Sequence, residues 1–298
     1  MTDQTWGIIG FGEAGAAFAL HVNHYLGRPV HVMDPLLNTK DPPDHIRSRL
    51  EEVPITIMPD IPQLMAQCDV VLSLVTPRVA TKVAAQAGAA WQRGLFIDCN
   101  SIAPEEKRVT ARYFGEQSYV DGAILGSIST GVARLPLALA GPRAAQAHAL
   151  LSAIQLRTSV VSHEVGSASA LKMCRSIFMK GIECLLIETT LTAAQFGITE
   201  PVLASVEQTI ASFGFQSMVN MLITTHAVHC GRRADEMQHV TSMLEHMGLP
   251  HIMSDAARDV LAASDRAGLP AHFEGVLPND SKDVIAYLTD VYMKGEQP

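Results

Sequence analysis

Four polar residues recur at helical spacing in the otherwise apolar stretch Ser167–Phe196. Lys172, Ser176, Lys180 and Glu183 are separated by four, four and three positions. At about 100° per residue they lie within one arc of roughly 80° on a helix. An amine in such a stripe can exchange a proton near neutral pH if burial lowers its pKa. Taken alone, this spacing favours structural pairing of buried polar ends, such as Lys180 with Glu183.

A glycine-rich turn near the N-terminus has the spacing of a phosphate-binding loop. Gly10, Gly12 and Gly15 form G-x-G-x-x-G between a short apolar run at 5–10 and a predicted helix at 14–26. In this arrangement the first glycine turns the chain, the second admits a pyrophosphate and the third lets the helix pack closely. The amides at the helix start then face the anion. We therefore expect this turn to bind a dinucleotide through Gly10, Phe11, Gly12, Glu13, Ala14 and Gly15.

An acid follows the second predicted strand. Asp34 comes directly after an apolar run at 29–33 and lies 24 residues beyond Gly10. A carboxylate at this separation can bind the two ribose hydroxyls and disfavours a 2′-phosphate. The sequence therefore favours NAD over NADP. The alternative is a tight turn followed by an unrelated surface aspartate.

The first half of the chain alternates apolar runs with helical patterns, which predicts a Rossmann-type, doubly wound parallel sheet. The predicted strands are 5–10, 29–33, 55–58, 69–75, 95–98, 119–124, 135–140 and 158–161. The predicted helices between them are 14–26, 44–52, 61–67, 79–91, 104–114 and 143–154.

Ligands of such sheets bind beyond the carboxyl ends of the strands. Besides the glycine turn and Asp34, these ends carry three short polar segments, which are Thr76-Pro77, Asn100-Ser101 and Gly126-Ser127. We expect these segments to contribute to the ligand site, with Asn100 on the cofactor side. All of these ends should meet at one edge of the sheet.

Strand signals stop after Val165. A long helix at 167–196, apolar on nearly every side, should be mostly buried. Further helices are predicted at 200–213, 218–229, 232–247, 252–267 and 279–293. We therefore expect a Rossmann domain at 1–163 and an all-helical domain at 164–298 that the long helix enters. Small-molecule sites concentrate where domains meet.

Composition limits the function classes. The chain has 298 residues, a net charge of −8, 48% hydrophobic residues and no basic run, which argues against a nucleic-acid surface. The longest apolar stretches are too short to span a membrane, and the N-terminus lacks a secretory pattern. The five scattered cysteines are typical of reduced core thiols. These features predict a cytoplasmic globular protein.

Several motifs occur in the order of a known superfamily. GIIGFGEAGAAFA, LSLVTP, IDCNSIAP, DGAILGS and GSASALK follow one another along the chain. This set resembles the β-hydroxyacid dehydrogenases, which include 3-hydroxyisobutyrate dehydrogenase and 6-phosphogluconate dehydrogenase. The second half, with KMCRSIFMKGIECLLIE and GRRADEMQHV, resembles a branch with a phosphogluconate-dehydrogenase-like C-terminal domain of unknown function. The resemblance covers nearly the whole chain.

The resemblance implies roles for particular residues. Lys172 matches the catalytic lysine, which takes the hydroxyl proton while hydride leaves for the nicotinamide. Ser101, Gly126 and Ser127 match substrate-contacting positions, and Thr76 and Pro77 would line the cofactor.

Two positions depart from the superfamily pattern. Leu125 stands where a serine is usual, and Ser176 stands where an asparagine is usual. Lys180 and Glu183 could replace the missing polar contacts. The bulk of Leu125 suggests a substrate less polar than 3-hydroxyisobutyrate.

We expect an NAD-dependent dehydrogenase that oxidises a small hydroxy acid, or reduces the corresponding carbonyl, and forms a homodimer through the long helix. The alternatives within the superfamily are oxidative decarboxylation of a sugar acid and reduction of an imine. A non-catalytic NAD sensor and an S-adenosylmethionine methyltransferase are alternatives from other classes.

Three further features could be functional or structural. His226, His229 and Cys230 could hold a metal, but the pattern lacks a further ligand, so we predict no metal site. Arg232 and Arg233 could clamp an anionic substrate or could pair with nearby acids. His272 lies alone in a loop, and nothing in the sequence assigns it a role.

Overall fold

Eight strands form one sheet in the first part of the chain. The computed structural model describes residues 4–115 and 118–295. The strand order is β3-β2-β1-β4-β5-β6-β7-β8. The strands are β1 (Trp6–Ile9), β2 (Val30–Met33), β3 (Ile55–Ile57), β4 (Val70–Ser73), β5 (Leu95–Asp98), β6 (Tyr119–Ile124), β7 (Leu137–Ala140) and β8 (Thr158–Ser162). All eight predicted strands are present, with ends within two residues of the prediction.

Helices connect most of these strands. They are α1 (Glu13–Leu26), α2 (Asp44–Glu52), α3 (Ile61–Gln67), α4 (Pro77–Ala90), α5 (Pro104–Ala111) and α6 (Ala144–Ala153). The central strands β1, β4, β5 and β6 are buried along their whole length. Strands covered on both faces read as continuous apolar runs, which is why the sequence located them. The architecture is the predicted α/β sheet followed by an all-helical region.

One strand pair departs from the predicted parallel arrangement. β6 and β7 pair antiparallel, whereas the other neighbours are parallel. The segment between β6 and β7 holds two short 3-10 turns, Ile128–Thr130 and Val132–Arg134, instead of a crossover helix. A parallel return needs such a crossover, so this shorter connection brings β7 back antiparallel.

The chain divides into two compact units, one up to Ile177 and one from Phe178 onward. The division falls inside helix α7 (Ser167–Gln195), which contributes to both units. The predicted domain boundary at 163/164 marks where the sheet ends and the helices begin, and it stays a prediction.

The described residues of the second unit form helices joined by short connections, with no strand among them. After α7 come α8 (Thr199–Phe213), α9 (Phe215–His246), α10 (Ile252–Arg266), α11 (Leu269–His272) and α12 (Ser281–Met293). The prediction of two helices at 218–229 and 232–247 was wrong, because α9 continues through Gly231. A Cβ on Gly231 would lie 2.8 Å from the Asp265 carboxylate, so this glycine permits close approach of α10 and does not end the helix.

Helix α7 is much more exposed than predicted. Ile177 is 76% exposed and Ile187 is 54% exposed, and most large apolar side chains between them are also exposed. Apolar composition predicted that the helix needs cover, but within one chain its own neighbours do not supply it.

The cysteines are all free, but they are not all core residues. Cys68, Cys99 and Cys230 are buried, whereas Cys174 and Cys184 on α7 are exposed. The expectation of core thiols was therefore wrong for the last two, because their helix is exposed.

None of the helices in the described ranges is long and apolar enough to cross a membrane.

Candidate functional site

Two glycines of the turn between β1 and α1 are required by close backbone contacts. Gly10 has φ +99°, and a Cβ there would lie 2.4 Å from the Leu74 carbonyl oxygen. A Cβ on Gly15 would lie 1.9 Å from the Gly10 carbonyl oxygen. Any side chain at either position would push α1 away from β1 and β4. These glycines therefore fix where α1 begins.

Gly12 has a different role, because a Cβ there would meet nothing within 4 Å. It is the N-cap of α1 and supplies no side-chain acceptor to the first-turn amides. Unpaired amides at a helix start favour an anion. Glu13 is exposed and Ala14 is half-buried in this first turn. The open space and the uncapped amides fit the pyrophosphate of a dinucleotide.

Asp34 closes the turn from the end of β2. Its Oδ2 accepts a hydrogen bond from the Phe11 amide at 2.7 Å, and its Oδ1 accepts one from the Leu36 amide at 2.9 Å. The Phe11 side chain is fully buried, so only its backbone borders the turn. The carboxylate lies where the spacing predicted, but it also braces the protein backbone.

A cavity of about 730 Å³ opens beside the turn and Asp34. Its volume is in the range of small-molecule sites. Thr76 lines the cavity, and Pro77 begins α4 directly after it. His45 and Lys82 line it too, but nothing in their spacing along the sequence separates them from other polar surface residues.

The side chain of Asn100 serves the protein scaffold. Its Oδ1 accepts a hydrogen bond from the Val75 amide at 2.7 Å, and its Nδ2 donates one to Ser73 Oγ at 2.9 Å. It thus ties the end of β4 to the end of β5. The sequence placed Asn100 at the cofactor edge, and in the structure both ends of its amide are occupied by protein atoms.

Ser101, the next residue, meets the lysine that the sequence singled out. Lys172 Nζ donates a hydrogen bond to Ser101 Oγ at 2.6 Å. The two residues are 71 positions apart, and α7 and the turn after β5 bring them together. Lys172 is half-buried, and burial lowers the pKa of its amine. The buried ammonium of Lys107 lowers that pKa further, whereas Cys99 acts in the opposite direction.

Sequence reasoning missed a buried ion triad formed by Asp98, Lys107 and Asp121. Lys107 Nζ lies 2.9 Å from Asp98 Oδ1 and 3.5 Å from Asp121 Oδ1, and all three side chains are fully buried. The available signal was an aspartate inside each of two apolar strands. Which cation pairs with them could not be read from spacing.

The predicted substrate loop follows β6. Gly126 lies against Leu135, because a Cβ would come within 2.8 Å of that side chain. Ser127 is exposed, and its hydroxyl pairs with Ser129 at 2.8 Å. Leu125 packs against an alanine cluster that includes Ala168 at the start of α7.

The rest of the polar stripe on α7 divides between the two units. Ser176 is half-buried in the first unit, and Lys180 and Glu183 are exposed in the second. Among the described residues no ion pair or hydrogen bond joins Lys180 to Glu183, so the predicted pairing is not formed.

The remaining candidates lie in the second unit. Arg232 forms an ion pair with Glu236, and Arg233 donates a hydrogen bond to Thr225 Oγ1 at 2.9 Å. His272 stacks on Tyr287 with ring centroids 4.1 Å apart. Within residues 4–115 and 118–295, no group of three or more His, Cys, Asp or Glu side chains is placed to hold a metal ion.

Comparison with known proteins agrees with this architecture. Residues 193–264 match the family described as a domain of unknown function, DUF1932. A conserved hypothetical protein from Sinorhizobium meliloti 1021 is 32% identical, with 90% of each chain covered and a TM-score of 0.62. The conserved protein MTH1747, of unknown function, is 29% identical over 89% of this chain and 99% of its own, with a TM-score of 0.61. Its structure is reported to be similar to 3-hydroxyacid dehydrogenases.

The fold is also that of an imine reductase. The enzyme from Myxococcus stipitatus, solved in complex with NADP+, is 19% identical over 89% of this chain and 96% of its own, with a TM-score of 0.70. The fold and the glycine turn define a Rossmann-type protein with an all-helical second half. These likenesses are consistent with a β-hydroxyacid dehydrogenase-like superfamily. They support an oxidoreductase that uses a nicotinamide cofactor.

Proposed function

We propose that the protein transfers hydride between a nicotinamide cofactor and the hydroxyl carbon of a small hydroxy acid, with Lys172 as general acid and base. The observation that carries this proposal is the hydrogen bond from Lys172 Nζ to Ser101 Oγ at 2.6 Å. This bond joins the Lys172 amine to the turn at the carboxyl end of β5. Burial lowers the pKa of that amine.

The chemistry asks two things of the chain. Oxidation needs a neutral amine to take the hydroxyl proton, and reduction needs an ammonium to return it. Lys172 can do both if its pKa lies closer to neutral than that of a free lysine. The cofactor, when bound, accepts or gives the hydride. Ser101 holds the amine in place and, with Gly126, Ser127 and Ser176, would orient the substrate.

The glycine turn and Asp34 support a dinucleotide, and we infer NAD as the preferred form. A carboxylate at the end of β2 repels a 2′-phosphate. The competing observations are His45 and the cation Lys82 in the same cavity, and the NADP+ bound by the imine reductase. The choice is decided by measuring the affinity of the protein for both dinucleotides.

The test is a panel of 2- and 3-hydroxy acids assayed for NADH and NADPH formation. The proposal expects reduced cofactor to form with at least one acid and turnover to fall sharply in Lys172→Ala. Tight NAD binding without turnover of any alcohol would indicate a sensor instead. Stabilisation against heat by S-adenosylmethionine but not by NAD would indicate a methyltransferase.

Imine reduction is a second candidate, favoured by the fold shared with the imine reductase. It needs a proton donor to the nitrogen, and an ammonium at position 172 could provide that proton. Oxidation of NADPH by a cyclic imine, with no activity on any hydroxy acid, would favour this candidate. Release of CO₂ from a sugar acid would instead indicate oxidative decarboxylation.

We also propose that the protein is a homodimer joined through α7. The exposed apolar side chains along this helix support the proposal, since monomers rarely expose extended apolar surface. The cytoplasmic location expected from the sequence stays a prediction.

A further inference from the structure

Two buried carboxylates hold the chain segments that carry Lys172 and Ser101, one carboxylate for each segment. Asp98 Oδ1 accepts the Asn100 amide at 2.9 Å, which fixes the turn that carries Ser101. Asp121 Oδ2 accepts the amides of Gly166 and Ser169, both at 3.0 Å.

Asp121 also binds the side chain at the start of α7. Its Oδ1 accepts the Ser169 hydroxyl at 2.7 Å. The carboxylate therefore caps the N-terminus of α7, where a negative charge is favoured by the helix dipole. Lys172 follows Ser169 by three residues, so the cap fixes the turn of helix from which the amine extends.

Lys107 joins the two carboxylates. Asp98 and Asp121 are register partners on the parallel strands β5 and β6, which places two like charges side by side. Lys107 Nζ bonds Asp98 at 2.9 Å and lies 3.5 Å from Asp121, and it also donates to the Asp98 carbonyl oxygen. With one cation for two carboxylates, the position of either strand affects the other.

The remaining acceptor of the triad is also bonded. Tyr119 donates its hydroxyl to Asp98 Oδ2 at 2.7 Å. Burial and the neighbouring Asp98 raise the pKa of this phenol well above its usual range, so it stays a donor. A buried polar network with every member satisfied is rigid. The triad therefore has the rigidity needed to hold two chain segments in one geometry.

We propose that the buried triad Asp98–Lys107–Asp121 is a positioning device that sets the Lys172 amine against Ser101. The proposal rests on the proposed function, in which Lys172 moves the proton. The triad touches neither substrate nor cofactor in this account. It acts through the cap of α7 on one side and through the Asn100-Ser101 turn on the other.

The alternative is a triad that only stabilises the sheet, and a direct measurement on Lys172 separates the two. Two variants weaken the cap, Ser169→Ala by removing the hydroxyl and Asp121→Asn by replacing one acceptor oxygen with an amide donor. The matched control is Ser254→Ala. Ser254 lies at the start of α10, and its amide and hydroxyl each donate a hydrogen bond to the Glu188 carboxylate. This control therefore loses the same kind of bond in the second unit.

The readout is the acetylation of Lys172 by acetic anhydride across a pH series. The intact, folded protein is labelled, and the extent of labelling is then quantified by peptide mass spectrometry. If the triad positions the amine, Ser169→Ala and Asp121→Asn release it toward solvent. Its labelling midpoint then moves to higher pH, and the midpoint in Ser254→Ala stays that of the parent. An ångström of misplacement costs on the order of 100-fold in rate, so kcat should fall by about that factor in Asp121→Asn and by roughly tenfold in Ser169→Ala.

An unchanged labelling midpoint in both cap variants overturns the proposal, even if their thermal stability falls. If Asp121→Asn does not fold, Ser169→Ala decides the question alone. Labelling requires no substrate, so it tests the triad whether or not a hydroxy acid is turned over. Failure of the proposed function would appear separately, as undiminished turnover in Lys172→Ala.

Discussion

Asp34 Oδ2 lies 2.7 Å from the Phe11 amide nitrogen, so the acid that the spacing assigned to a ribose also braces the glycine turn. Both oxygens already accept one amide each, from Phe11 and Leu36. An ionised carboxylate has about four lone-pair sites, which leaves acceptors for a ribose diol. The residue can therefore serve the fold and the cofactor together.

This double role makes a prediction about cofactor preference. Asp34→Asn keeps an acceptor and removes the charge, so the ratio of NADP to NAD affinity should rise by roughly tenfold, as expected for one lost charge contact of about 1.4 kcal/mol. Fluorescence titration with both reduced dinucleotides measures the ratio. The control is Asp60→Asn, which alters a carboxylate that caps α3 by accepting the Gln63 amide at 2.8 Å. An unchanged ratio in Asp34→Asn would show that this carboxylate does not select the cofactor.

The space beside Gly12 gives a second prediction. Gly12→Ala adds a methyl group where no protein atom beyond its chain neighbours lies within 4 Å, so the fold should tolerate it. The same methyl should keep the pyrophosphate from the backbone and weaken NAD binding by at least about tenfold. Isothermal titration with NAD measures the loss. Gly181→Ala is the matched control, since a Cβ there also meets no atom within 4 Å beyond the backbone of its own helix. Equal NAD affinity in both variants would remove the turn from the cofactor site.

The order of the elements was predictable because burial leaves a local pattern. β5 and β6 matched the predicted bounds, since a strand covered on both faces is an apolar run of fixed length. Asn100 and Ser101 were placed at the correct edge because they follow β5. The pairing of Ser101 with Lys172 was not visible, because it depends on how α7 is oriented when it leaves the sheet.

Other features depend on contacts that spacing does not encode. The sequence suggested that Gly231 ends a helix. The structure instead shows that a glycine is needed there because the Asp265 side chain of another helix packs against it. The link between Asp98 and Asp121 depends on strand register, which brings residues 23 positions apart side by side. The exposure of α7 could not be predicted from its composition. An apolar helix surface indicates that it must be buried, but not whether the same chain or a partner buries it.

Loss of the amine at position 172 is the most direct test of the chemistry. Removing a general acid or base costs about 100- to 10,000-fold in rate, so Lys172→Ala should lower kcat by a factor in that range. NAD affinity should change little, because the cofactor cavity is lined by other residues. Steady-state kinetics on the best hydroxy acid measures the effect, with the exposed Lys282→Ala as control. Equal activity in Lys172→Ala and the parent would contradict the role.

The pKa of Lys172 predicts opposite pH profiles for the two directions. Burial lowers this pKa below the ordinary 10.5, and the nearby Lys107 ammonium lowers it further against the opposite effect of Cys99. Oxidation needs the neutral amine, so its kcat should rise with pH and level off above that pKa. Reduction needs the ammonium and should fall over the same interval. Lys172→Arg keeps the charge but cannot lose its proton in this range, so it should abolish the inflection. A profile with the same inflection in Lys172→Arg would assign the titration to another group.

The apolar face of α7 predicts that a charge placed there breaks a dimer. Ile187 is 54% exposed in the single chain, and burial of that side chain against a second copy would make Ile187→Glu costly. Light scattering coupled to size exclusion should give twice the 32.1 kDa chain mass for the parent and the monomer mass for the variant. Val260 on α10 is 61% exposed, and Val260→Glu is the control that should leave the mass unchanged. A monomeric parent, or a dimer that persists in Ile187→Glu, would place the cover of α7 elsewhere.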